Sequence, residues 1–211
     1  SDVCSSDLSK AVISWVACGA MLTAFVISLL LFRGVLNGES TVHELFPFLR
    51  VGKLVIPFAF QVDALSALFS LIITGVGFLI HVYSAAYMHE ESPAHYARYF
   101  SYLNLFVFSM LLLVLGANYV IMFIGWEGVG LCSYLLIGYW FRNVSYTNAA
   151  KKAFVMNRIG DLGFLLAVFW MINEFGSVTF SEVFAKAPGT SVSIITGVTI
   201  LLFIGATGKS A

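Results

Sequence analysis

Six stretches of this 211-residue sequence are apolar for close to the length a helix needs to cross a bilayer, at approximately 11–32, 64–88, 100–116, 119–140, 151–172 and 191–211. Hydrocarbon offers no partner to a backbone N–H or C=O, so runs of this kind close their hydrogen bonds internally, as helices. Composition agrees: 60% of residues are hydrophobic and 10% charged, against about 25% charged in a soluble domain. The expected fold class is therefore an all-α membrane protein of about six transmembrane helices, and soluble nucleotide enzymes are excluded. The third and fourth runs are separated only by Ala117-Asn118 and must form a tight antiparallel hairpin of helices. The connection 33–62 differs, holding Gly34, Gly38, Gly52, Pro47 and Pro57; its "LVIPFAFQV" predicts a short external β-hairpin lying on the membrane. With no internal repeat or low-complexity tract, residues 11–211 read as one membrane domain.

Lys plus Arg equals Asp plus Glu at 11 each, so no charge excess calls for nucleic acid, and the expected surroundings are the lipid bilayer. Loop charges set the orientation. The side that carries the N-terminus has Lys10, Arg98, Arg142, Lys151 and Lys152 in short loops, and the other has Arg33, Arg50, Lys53 and Lys186. The first side is expected to be cytoplasmic or its organellar equivalent. Cys4, Cys18 and Cys132 form no C-x-x-C pair, and His43, His89 and His95 lack ligand spacing, so neither a metal nor a redox centre is expected in this chain. The opening "SDVCSSDLSK" is neither a basic signal region nor apolar, and reads as a tail or assembly scar at 1–10.

Function is concentrated in the ionisable residues inside the apolar runs: Glu127, Arg158, Asp161 and Lys209. Each costs about 2.5–3.5 kcal/mol near a helix centre unless it finds a partner or water, so the default role is an ion or proton route. Glu127 shares a helical face with Gly130, Tyr134 and Gly138, a small and polar stripe that another helix can approach closely. Burial favours its neutral form and a nearby cation its ionised form, so moving one positive charge can switch its protonation. Arg158 and Asp161, three apart, can pair locally and do no more than permit insertion. Alternatively, with Lys151 two turns earlier on the same face, they form the entrance from the basic side. His81 lies on a polar face with Ser70, Thr74, Gly77 and Ser84, where it is either a neutral histidine satisfied by a hydroxyl or a proton relay. Asp63, three residues before Ser66, reads as a helix N-cap.

The terminal "GATGKSA" invites comparison with a phosphate-binding loop, but that pattern needs glycine five residues before Gly208, where the chain has Phe203. Lys209 is thus an intramembrane charge, and Gly205 and Gly208 are expected to weaken the helix around it.

"GWEGVGLCSYLLIGYW" at 125–140, "AAKKAFVMNRIGDLGF" at 149–164, "TGVGFLIHVYSAAYM" at 74–88 and "GATGKSA" at 205–211 together resemble the chain L (subunit 5 type) antiporter-like subunit of respiratory complex I, the proton-pumping NADH:quinone oxidoreductase. The resemblance covers nearly everything from about residue 11. It implies that the six spans belong to a larger antiporter-like bundle, that Glu127 is the key glutamate, and that Lys209, on a broken helix, modulates it as its partner. Arg158 and Asp161 match the N/T-R-[IV]-G-D stretch, and His81 the F-L-I-H segment. Members begin one span earlier and continue for many more, so the chain reads as an N-terminal fragment with about one half-channel. The implied function is proton translocation through a buried Glu/Lys relay in an enzyme complex whose NADH, FMN, iron–sulfur clusters and quinone reside in other subunits. The implied partners are the other membrane subunits, in a bacterial inner membrane or an organellar one. A subunit of a multisubunit cation/proton antiporter and a structural membrane scaffold are the alternatives.

Overall fold

The computed structural model describes residues 9–52 and 54–209. The expected tail up to residue 8, the loop charge Lys53 and the last two residues of the sixth apolar run lie outside the described residues. Six helices are long and apolar enough to cross a membrane: α1 (Lys10–Leu36), α2 (Ala64–Tyr87), α3 (Pro93–Leu115), α4 (Tyr119–Ile137), α5 (Val144–Phe175) and α7 (Val192–Lys209). A short α6 (Phe180–Lys186) and a 3₁₀ turn connect the last two. Between α1 and α2 lie strands β1 (Thr41–Val51) and β2 (Leu54–Val62), an antiparallel pair that turns at Gly52 with φ +59°. Glycine takes that left-handed geometry at the least cost, which is why it marks the turn of the hairpin.

Helix ends follow their caps more than their apolar runs. α3 starts at Pro93, ahead of the apolar stretch, because Ser92 caps it and the proline sits in its first turn. α5 starts at Val144 on the Asn143 side chain and ends at Gly176, whose φ of +66° is a left-handed C-cap. The Lys186 ammonium donates to the Phe175 carbonyl at 2.6 Å, placing a cation on the negative end of that helix. Asp63 is the N-cap of α2: its Oδ1 accepts from the Ser66 N–H at 2.8 Å, and the Ser66 hydroxyl accepts from the Asp63 N–H at 2.8 Å. Burial alone would raise the Asp63 carboxyl, but hydrogen bonds from the Ser66 backbone and side chain, Gln61 and Leu65 outweigh it and lower its pKa.

Asn118 ties the hairpin to the bundle. Fully buried between α3 and α4, it accepts from the N–H groups of Val120 and Ile121 and donates to the Pro57 carbonyl of β2 at 2.9 Å. Ala117 N–H donates to Ala59 and Tyr119 N–H to Val178, so the far end of α3, α4 and α5 meets β2 in one knot. Next to that knot, Ile56 of β2 and Phe164, Val168, Met171 and Phe175 of α5 form the main apolar core.

A charged crossing of three helices

Glycines decide how closely the helices of the site approach. On α4, Gly125 and Gly128 lie against Ser109 of α3, and a Cβ at Gly125 would meet the backbone of Leu113. On α5, a Cβ at Gly160 would stand 2.7 Å from the Gly208 Cα of α7, and one at Gly163 2.9 Å from the Leu201 carbonyl. The two helices therefore touch backbone to backbone, as small residues allow. Because Asp161 follows Gly160 and Lys209 follows Gly208, the crossing brings those two charges together.

Asp161 is 3% exposed. Its Oδ1 accepts from the Trp126 indole N–H at 2.7 Å and faces the Lys209 ammonium at 3.9 Å. That ammonium stands 5.6 Å from the centre of the Trp126 ring, lies against Gly130, and has no hydrogen-bond partner among the described residues. Glu127, the next residue on α4, forms an ion pair with Arg158, whose guanidinium also stacks over Phe154 at 4.7 Å. Three helices thus assemble two ion pairs: Asp161 with Lys209, both largely buried, and Glu127 with Arg158, where the carboxylate is partly buried and the guanidinium lies exposed at the surface of the bundle.

Two expected pairings are corrected here. Lys209 faces Asp161 rather than Glu127, and Arg158 reaches across to α4 instead of pairing with Asp161 along its own helix. The i, i+3 geometry permits a local pair, but Trp126 and Lys209 already occupy the Asp161 carboxylate. Nor is α7 broken at its glycines: it runs unbroken through the described residues to Lys209, with Gly205 against Phe164 and Gly208 against Gly160. These glycines serve close packing where a weak point is expected from sequence.

The remaining candidates lie elsewhere. Lys151 is exposed near the start of α5 and joins neither pair. Tyr134 is half-buried against Phe154 at 5.3 Å. His81 is fully buried on the α2 face that also carries Ser70, Thr74, Gly77 and Ser84, away from the four charges. Its Nδ1–H donates to the Gly77 carbonyl at 2.7 Å rather than to a hydroxyl, while Nε2 has no partner among the described residues. Trp126 is the residue that sequence reasoning passed over. Its signal was an indole N–H, which seeks an acceptor when buried, one residue from the span's glutamate. Among the described residues, no three His, Cys, Asp or Glu side chains gather in a way that could hold a metal ion.

A helical membrane bundle with a surface β-hairpin and two carboxylate–cation pairs between its helices defines an antiporter-like membrane domain. Residues 116–211 match the family described as NADH:quinone oxidoreductase/Mrp antiporter, transmembrane, and residues 48–100 match the N-terminus of complex I chain 5. A subunit L of NADH-quinone oxidoreductase from Mycobacterium tuberculosis is 46% identical over 198 residues, covering 92% of this chain and 31% of its own length. Chain 5 of NADH-ubiquinone oxidoreductase from Metridium senile is 42% identical over 197 residues, covering 92% of this chain and 32% of its own. A chain in the structure of the Mrp complex from Dietzia sp. shares the fold with a TM-score of 0.72 at 21% identity, over 95% of this chain and 24% of that one. The chain is an integral membrane protein that belongs to the antiporter-like subunit family of NADH:quinone oxidoreductase and Mrp antiporters. It spans about a third of the length of the subunits of NADH oxidoreductases that it matches.

Proposed function

We propose that this chain forms part of a proton-translocating membrane subunit of an NADH:quinone oxidoreductase, in a bacterial or organellar inner membrane. NADH oxidation and quinone reduction take place on other subunits, with their FMN and iron–sulfur clusters, and other membrane subunits are its neighbours. The observation that carries the proposal is the pair of carboxylate–cation contacts, Glu127–Arg158 and Asp161–Lys209, joined through α5 across three helices. Of the two, Asp161–Lys209 is the buried pair, and a buried pair broken on one side costs about 3–5 kcal/mol. A proton delivered to one carboxylate therefore forces its neighbours to rearrange.

The two pairs support the following sequence of events. A proton taken up by the Glu127 carboxylate leaves the Arg158 guanidinium without its counter-charge. The nearest remaining anion is Asp161, three residues along the same helix. Arg158 then competes with Lys209 for Asp161, which the Trp126 N–H keeps in place, and Lys209 is released to the next member of the relay. Run in reverse, the return of Lys209 to Asp161 restores Arg158 to Glu127 and expels the proton. Lys209 thus acts on Glu127 through Asp161 and Arg158.

In the assembled complex, Glu127→Gln and Lys209→Ala are each expected to lower the number of protons pumped per electron while quinone reduction continues. An unchanged stoichiometry in both variants would overturn the proposal. The Mrp-type antiporter reading draws on the shared fold, but the sequence similarity lies with the quinone oxidoreductase subunits, at 46% against 21% identity. Sodium-dependent transport lost on Glu127→Gln would favour the antiporter.

A further inference from the structure

The glycines of α4 do different things. A Cβ at Gly125 would meet the backbone of Leu113, one at Gly128 the Ser109 side chain, and one at the C-cap Gly138 would stand 3.2 Å from the Ala150 Cβ. Those three let neighbouring segments approach. A Cβ at Gly130 would instead stand 2.5 Å from the Lys209 Nζ and 4.0 Å from its Cε, with the Asn157 amide nitrogen next at 3.8 Å. The place a side chain would take is filled by an ammonium. Among the described glycines, Gly130 is the one of which this is true.

That ammonium is shielded and has no hydrogen-bond partner among the described residues. It stands 3.9 Å from Asp161 Oδ1, beyond hydrogen-bonding range, and 5.6 Å from the centre of the Trp126 ring. Trp126 and Gly130 are four residues apart, so they are neighbours on the surface of α4. The lysine is therefore located by the shape of α4 and by the field of one carboxylate, with no direct hydrogen bond to fix it. The other charged groups about it are Arg158 of α5 and, one turn from Gly130 on α4, Glu127.

We propose that Gly130 is a positioning residue for the relay: its bare backbone is the seat of the Lys209 ammonium and sets how far that ammonium stands from Asp161. The inference rests on the proton-relay reading above and adds to it a residue that cannot ionise. Non-bonded atoms separate to about 3.5 Å, so a methyl group at 130 would push the ammonium by about 1 Å. The α7 backbone cannot follow, because Gly208 is packed against Gly160 of α5. Only the lysine side chain yields. Pushed onto Asp161, it makes a direct salt bridge from which Arg158 cannot displace it; pushed away, it leaves Asp161 to Arg158 from the start. Either way the intermediate distance at which the two cations compete is lost.

The same geometry separates this role from packing. Glycine in a helix interior is destabilising relative to alanine, and the group nearest Gly130 is the mobile end of a side chain. Alanine at 130 should therefore be tolerated by the fold and harmful to function. A packing glycine predicts the reverse.

The test uses the assembled complex. Gly130→Ala is expected to assemble with the thermal stability of the parent or better, and to lower protons pumped per electron toward the Lys209→Ala value. It should also shift the pH at which pumping is half-maximal, whereas a packing defect scales the whole profile. Gly125→Ala, whose methyl meets backbone, is the packing control and should lower thermal stability. In the Lys209→Ala background, Gly130→Ala should change nothing further. A structure of the Gly130→Ala complex should show the ammonium displaced with the backbones of α4, α5 and α7 in place. A parent-like pumping ratio and pH profile in Gly130→Ala would overturn the seat. So would failure to assemble in both the parent and Lys209→Ala backgrounds, since the methyl would then meet the fold. Failure in the parent that Lys209→Ala relieves would support it, because methyl and lysine then compete for one place. Normal pumping in Gly130→Ala while Lys209→Ala still lowers it would refute the seat alone; a displaced ammonium with silent Glu127→Gln and Lys209→Ala would refute the relay alone.

Discussion

Trp126 shows how one side chain can hold a pair of charges. Its N–H bond to Asp161 goes to an ionised acceptor, and such bonds contribute about 1.5–3 kcal/mol. Trp126→Phe keeps the ring under Lys209 but removes the donor. It is expected to destabilise the folded chain by that amount in a denaturant titration, and to do much less when Asp161→Asn is already present. A double-mutant cycle with no coupling would show that the 2.7 Å contact contributes nothing. The identities of the four charged residues were legible in the sequence, since an ionised group in an apolar run must find a partner. Which partner was not legible. Arg158 and Asp161 satisfy the local rule for an ion pair, yet each is claimed from another helix, and no local rule ranks a local against a distant counter-ion.

At the scale of elements, the helices are positioned by glycine contacts and by caps. Gly160→Ala places a methyl group 2.7 Å from the Gly208 backbone, and the crossing must part. A cost of about 1–3 kcal/mol is expected from overpacking, with a matching loss of proton pumping because Lys209 moves away from Asp161. Gly19, with nothing within 4 Å of its Cβ position, is the control that should tolerate alanine. The N-cap of α2 makes a pH prediction. Asp63 has a lowered pKa in the fold, so its contribution is complete above the unfolded value of about 3.9 and is lost as pH falls through the folded value. Hydrogen exchange in the first turn of α2 should accelerate below about pH 4, and Asp63→Ala, costing about 1 kcal/mol, should abolish that dependence. Sequence reasoning gave the cap directly, because both partners lie within four residues. It misjudged Gly205 and Gly208, since a glycine that frees a backbone and a glycine that admits a neighbour are the same letter.

For the whole molecule, one buried amide joins the surface hairpin to the bundle. Asn118→Ala removes two cap acceptances and the donation to Pro57. A loss of about 2–4 kcal/mol is expected at roughly 1 kcal/mol per bond plus the unpaired carbonyl. Limited proteolysis in the 33–62 connection should speed up in step, and unchanged protection would disconnect the hairpin from the helix ends. The six membrane helices and the hairpin were readable in the sequence because hydrocarbon permits little else and because turn residues bracket the strands. The knot at Asn118 was not, since its partners come from β2, from α4 and from the end of α5. The sequence by itself determined that this chain spans a membrane and must keep Glu127, Arg158, Asp161 and Lys209 out of lipid, because length and charge are penalised locally. Only the tertiary structure decided that Glu127 holds Arg158 and that Asp161 holds Lys209. Those relations depend on the rotation and depth at which helices cross, and such quantities are fixed by contacts between residues far apart in the chain.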